Sequence, residues 1–124
     1  MAKAEESLAT ATSELANRRY NSCANRCYYA CFQAAIAALL RAGIHSPRPD
    51  GGWPHAFVQA QFAVLVTRRK EYPSQLRDAL PMLMALRHRA DYQPAQVSER
   101  QVARAVRTAR DFVAAVVAKG DDVQ

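Results

Sequence analysis

Two stretches of the sequence hold side chains whose types and spacing suit chemistry. Arg87-His88-Arg89-Ala90-Asp91-Tyr92 crowds guanidinium, imidazole, carboxylate and phenol groups together. On a helix Arg87 and Asp91, four apart, share a side. His88 points about 100° away from Arg87. The second stretch is Asn25-Arg26 with Tyr28-Tyr29, where Asn25, Arg26 and Tyr29 interrupt a run of alanine, cysteine and other apolar residues. A charged side chain amid so much alanine needs a partner or water. If the two stretches lie on neighbouring helices, Arg26 and Asp91 would pair across a groove while Asn25 and Arg87 face its opening. Arginine suits bidentate contact with phosphates and carboxylates. Each stretch also has a purely structural reading. Arg87–Asp91 would be an intrahelical ion pair worth a few tenths of a kcal/mol, and Arg26–Asp91 a buried pair that sets helix register.

A third group is Arg100, Arg104, Arg107 and Arg110. On an ideal helix they lie at about 0°, 40°, 340° and 280°, a single stripe, with Val102, Val106, Ala109 and Val113 on another side. A basic helix face can follow an RNA backbone without reading bases. The same face is also what the solvated back of an amphipathic helix looks like. Cys23, Cys27 and Cys31 recur once per helical turn. A metal site would need a fourth ligand from His45, His55 or His88 at no recognisable spacing, so the cysteines read as small core residues and no metal or cofactor is expected. Trp53 reads as a lid over the core, with base stacking the alternative, and His55 as a cap or loop anchor.

The elements that must position these groups are helical. Ala2–Asn17 carries Leu8, Ala11 and Leu15 on one face and acids in its first turns, which suit the helix dipole. Tyr20–Gly43 has no proline and no interior glycine, and Gly43 is a natural C-cap. Small residues along it would let other helices approach closely. His45–Pro54, with its prolines and Asp50-Gly51-Gly52, is a loop, and Pro54 can open a third helix over His55–Lys70. A fourth runs from Gln75 to about Tyr92, with Leu76, Leu80, Leu83, Met84 and Arg87 sharing a side. Pro81 should kink it or delay its start. Ser98-Glu99-Arg100-Gln101 is a capping box for a fifth, to about Lys119. The expected architecture is an all-α, up-and-down bundle of about five helices in a single domain over 1–119, with a frayed tail at 120–124.

Composition sets the outer bounds. The chain has 124 residues, 50% of them hydrophobic and 23% charged, which fits one globular core and argues against disorder. The net charge of +6 comes far more from arginine than lysine, which fits an anionic partner such as RNA and equally plain solubility. No run approaches the roughly 18 apolar residues of a membrane span, and no signal peptide is visible at Met1–Ala11. A cytoplasmic location is expected.

The segments A-N-R-C-Y-Y-A-C-F-Q-A-A, H-A-F-V-Q-A-Q-F, L-R-H-R-A-D-Y and A-R-D-F, in that order, resemble the HEPN family. The resemblance runs from about Leu8 to Val117 and is closest to the small prokaryotic branch marked by N-R-x-Y-Y-A-x-F and R-x-x-A-D-Y. It implies a helical bundle that forms a homodimer, and a role in a toxin–antitoxin, phage-defence or CRISPR system acting on RNA. Many such proteins are metal-independent endoribonucleases with a composite site at the dimer cleft, and many have a minimal nucleotidyltransferase as antitoxin. Arg87 matches the motif arginine and His88 the polar residue after it, but Asp91-Tyr92 stands where the nuclease histidine would fall. The resemblance thus implies Arg87 on the scissile phosphate, with His88, Asp91 or Tyr92 for proton transfer or positioning. Asn25, Arg26 and Tyr29 would line the RNA site, and Arg104 and Arg107 would add backbone contacts. A tyrosine of pKa about 10 and an aspartate of about 4 exchange protons less readily near neutrality than histidine. A non-catalytic nucleotide- or RNA-binding module, or an adaptor for the nucleotidyltransferase, is therefore the alternative.

Overall fold

The computed structural model describes residues 1–122. It is built of five α-helices: α1 (Ala2–Ala16), α2 (Tyr20–Arg41), α3 (His55–Thr67), α4 (Ala79–Tyr92) and α5 (Glu99–Asp122). Short 3-10 turns occupy Ser74–Leu76 and Pro94–Gln96, and no strand occurs among the described residues. The all-α expectation holds.

The helix ends follow local chemistry. Gly43 sits at φ +85°. Its N–H bonds Leu40 O at 3.0 Å, and the Ile44 N–H reaches back to Leu39 O at 2.8 Å. This pair of hydrogen bonds closes α2 as a Schellman turn, for which glycine is suited because it has no Cβ to clash. Pro81 delays α4 rather than kinking it. The helix begins at Ala79, so the missing proline N–H falls in the first turn, where no intrahelical acceptor is lost. The α5 capping box is reciprocal. Gln101 N–H donates to Ser98 Oγ at 3.2 Å, and Ser98 N–H donates to Gln101 Oε1 at 2.9 Å. Gly120–Asp122 continue α5, where a frayed tail was expected. Val123 and Gln124 lie outside the described residues.

The α2 helix is central and touches the other four. Cys23, Ala24, Cys27, Ala30, Cys31, Ala34, Ala35 and Ala38 are all buried. Such small side chains let neighbouring axes come close on several sides at once. α1 and α4 run antiparallel to α2, as Ser7–Gln33 and Pro94 beside Tyr20–Ser22 show. α3 breaks the alternation. His55 at its start bonds Tyr28, and Arg69 just past its end reaches Ala42 O. It therefore runs in the same sense as α2, and the long 42–54 connection is the crossover that makes this possible. α3 thus delivers its first residue to the middle of α2.

Candidate functional site

The face of α4 that packs on the core carries Leu80, Leu83, Leu86 and Ala90. Arg87 falls four residues after Leu83 and three before Ala90, so helical geometry aims it inward with them. It meets the polar interruption of α2. The Arg87 Cζ lies 5.0 Å from the Tyr29 ring centroid and 5.7 Å from that of Tyr28. The Arg26 Cζ, on the exposed side, stands 5.9 Å from the Tyr29 ring. Two guanidinium groups thus flank one tyrosine. Such cation–π interactions contribute about 0.5–2 kcal/mol, more as water is excluded.

Arg87 has no anionic partner among the described residues. The ion pairs among the described residues join Arg19 to Glu14, Arg48 to Asp50 and Arg77 to Asp78. The Arg87 Nε is buried without a hydrogen-bond partner, and its Nη1 reaches only the weak acceptor Met84 Sδ, at 3.7 Å. Two expectations are corrected here. Arg87 does not pair with Asp91, because the guanidinium is turned onto the tyrosine faces. Arg26 does not pair with Asp91 across the groove: Arg26 lies over Tyr29, and Asp91 is exposed with no ion pair among the described residues.

The site contains a histidine, supplied by α3. His55 stacks on Phe32 with ring centroids 4.5 Å apart and on Tyr28 at 5.5 Å. Its Nδ1 is 2.6 Å from the Tyr28 hydroxyl, which also receives the Gln59 Nε2–H at 3.4 Å. Tyr28 is fully buried, its single hydroxyl proton needs an acceptor, and His55 Nδ1 is the acceptor in reach. This assigns the proton of neutral His55 to Nε2. Burial, then the Arg87 charge, lowers the His55 pKa below its ordinary value. The imidazole is therefore neutral at pH 7 with its proton on Nε2, and it shares the Tyr28 and Tyr29 rings with Arg87. Burial is also the main cause that raises the Tyr28 pKa, so the phenol stays a proton donor to His55.

The remaining residues fall into two groups. Tyr29 is half-buried inside the cluster, and Asn25 is half-buried one turn before it. His88, Asp91 and Tyr92 are exposed, Tyr92 to 83%, and none hydrogen-bonds to Arg87. Arg104 and Arg107 are exposed on the outer face of α5. Arg104 borders a small cavity of about 140 Å³ with Met82 and Leu86. The expected cap role for His55 is replaced by a place in the aromatic cluster; its adjacency to Pro54 was visible in the sequence, its hydrogen bond to Tyr28 was not. Cys23, Cys27 and Cys31 are free and buried. Burial raises the Cys31 thiol well above its usual range, and among the described residues no cluster of three potential ligands could hold a metal ion.

The HEPN domain family model matches residues 1–120. The chain belongs to the HEPN family. No curated protein and no solved structure gives a significant match. Around Arg87 this HEPN domain sets two tyrosine rings, and a histidine from α3 stacks on one of them. No described helix is long and apolar enough to cross a membrane.

Proposed function

We propose that this HEPN protein is a cytoplasmic component of a prokaryotic toxin–antitoxin or defence system and acts on RNA through Arg87. One observation carries the reading. Arg87 is half-buried between tyrosine rings, no carboxylate pairs with it, and its buried Nε donor is unused. A desolvated cation without a counter-ion is costly unless an anion completes it. A phosphate offers two oxygens that a guanidinium fork can hold through parallel hydrogen bonds. The His55 Nε2–H would give a second hydrogen bond, and Arg26 would meet the same phosphate from the solvent side. Asn25 and Tyr29 would orient the nucleotide, and Arg104 and Arg107 would hold more distant backbone on another face.

In the catalytic version of this reading the site is completed across a homodimer and cleaves RNA without metal. His55 is then the better-placed imidazole, and His88, Asp91 and Tyr92 would act from the partner's side of the cleft. The second reading, a binding module or adaptor for a minimal nucleotidyltransferase, is favoured by the exposure of those three residues away from Arg87. Metal-free incubation of the purified protein with total RNA and labelled tRNA separates them, with Arg87→Ala, His55→Ala and His88→Ala beside the wild type. Cleavage that needs Arg87 supports the nuclease, and the histidine variants then say which imidazole moves protons. RNA that binds through Arg87 but stays intact supports the module. Undiminished cleavage or binding by Arg87→Ala sinks both.

A further inference from the structure

A groove of about 540 Å³ opens where the first turn of α1 meets the second half of α2. Its walls include Tyr29, Phe32, Ile36, Leu40 and Trp53. Two of these belong equally to the Arg87 site: Tyr29 carries both guanidinium groups, and Phe32 carries the His55 ring. The groove therefore shares two side chains with the phosphate position proposed above, one ring away from the guanidinium groups. Its volume is that of a small-molecule pocket.

The polar groups at this groove include two hydrogen-bond donors to spare. Lys3 makes no ion pair among the described residues. The Gln33 Oε1 is taken by the Ser7 hydroxyl at 3.0 Å, and its Nε2 has no partner among the described residues. No carboxylate is among the described residues that line the space. Aromatic walls with a lysine and an amide N–H to spare, and no carboxylate among the described lining residues, suit a flat ring with acceptors on its edge.

We propose that this groove takes an unpaired nucleobase of the RNA whose phosphate sits on Arg87, stacked among Tyr29, Phe32 and Trp53 with its acceptor edge toward Lys3 and Gln33. The inference rests on the RNA reading and extends it from backbone to base. Stacking on aromatic side chains tolerates any base because each has a π-face. Lys3 and the Gln33 Nε2–H add donors for acceptor atoms on the edge of the base.

Trp53 is the single tryptophan, so its fluorescence reports on the groove alone. The experiment titrates the full chain with a short labelled oligouridylate and with an abasic oligomer of equal length and charge, following Trp53 emission and label anisotropy together. Oligouridylate is expected to quench Trp53 to saturation and to bind about tenfold more tightly than the abasic oligomer. Ala37→Phe, which fills the groove from α2, should abolish the quench and bring oligouridylate down to the abasic affinity. Equal affinity for the two oligomers without quenching would overturn the base site and leave the Arg87 reading standing; the comparison uses wild-type protein and needs no variant to fold. Failure of both oligomers to bind would remove the base site and the Arg87 reading together. Light scattering runs alongside: a halved mass for Ala37→Phe would show that a second copy covers the groove, which also overturns the proposal.

Discussion

The molecule uses arginine in two opposite ways. On α4, Arg87 is half-buried against tyrosine faces, with a buried donor unused and a neutral histidine nearby. On α5, Arg100, Arg104, Arg107 and Arg110 stand exposed in solvent, on the side away from Val102, Val106, Ala109 and Phe112. Neither set pairs with a carboxylate among the described residues. Unpaired charge in water is ordinary and screened within about 8–10 Å. Unpaired charge held against aromatic rings is not, because the fold gives up stability to keep it there. Lack of an ion pair therefore points to a ligand at Arg87 and carries no such weight on α5.

The largest expected effect breaks the comparison if it fails. Arg87→Ala should weaken RNA binding about a hundredfold, the scale of removing one charge-assisted hydrogen bond from a partly dry site. Arg104→Ala with Arg107→Ala should cost less, and in a different way. Without two phosphate-binding arginines on single-stranded RNA, the slope of log affinity against log salt should fall by about 1.4. Binding isotherms for both variants over a range of salt test this. If the α5 double variant weakens binding more than Arg87→Ala does, the outer stripe is the RNA site and the tyrosine-flanked arginine is architectural.

Stability should move the other way. Arg87→Met keeps the length of the side chain, removes the unpaired charge and packs a thioether against the aromatic rings. It should raise unfolding free energy by about 1 kcal/mol. Arg104→Met should stay within about 0.5 kcal/mol of wild type. Chemical denaturation of both variants reads the difference. A destabilised Arg87→Met would mean that the cation–π attraction outweighs the desolvation, and that Arg87 is a structural residue.

Much of the frame was legible in the sequence. The capping box, the glycine after α2 and Pro81 act locally, over one turn of helix, and local rules locate them. The stripe of α4 already placed Arg87 with Leu80 and Leu83. What spacing could not show was the partner. Arg87 and Asp91 have the separation of an ion pair, but separation does not say that an aromatic face competes for the guanidinium. His55 was the larger omission. It lies 27 residues from Tyr28 in the chain, and only a crossover that turns α3 parallel to α2 brings them together. A meeting across a crossover leaves no period in the sequence.

His55 also gives the smallest effect, one that separates the two arginine regions by pH. Its pKa in the folded protein is lowered, chiefly by burial and then by Arg87. Above the unfolded value of about 6.5 both states hold it neutral, and it adds no pH dependence. As pH falls below that value the unfolded chain binds the proton first, so folding stability drops and continues to drop until the folded pKa is passed. His55→Gln removes this component and should flatten the fall in Tm below about pH 6.5, by a modest amount because the ring is partly exposed. Arg87→Met should flatten part of the same fall, since one of the two causes of the shift is gone, whereas Arg104→Met should leave it unchanged. A melting series in one buffer system across that window, run on the three variants and wild type, decides it. Parallel curves for Arg87→Met and wild type would mean that the arginine and the histidine do not sense each other, and the α4 site would lose the feature that most sets it apart from the α5 stripe.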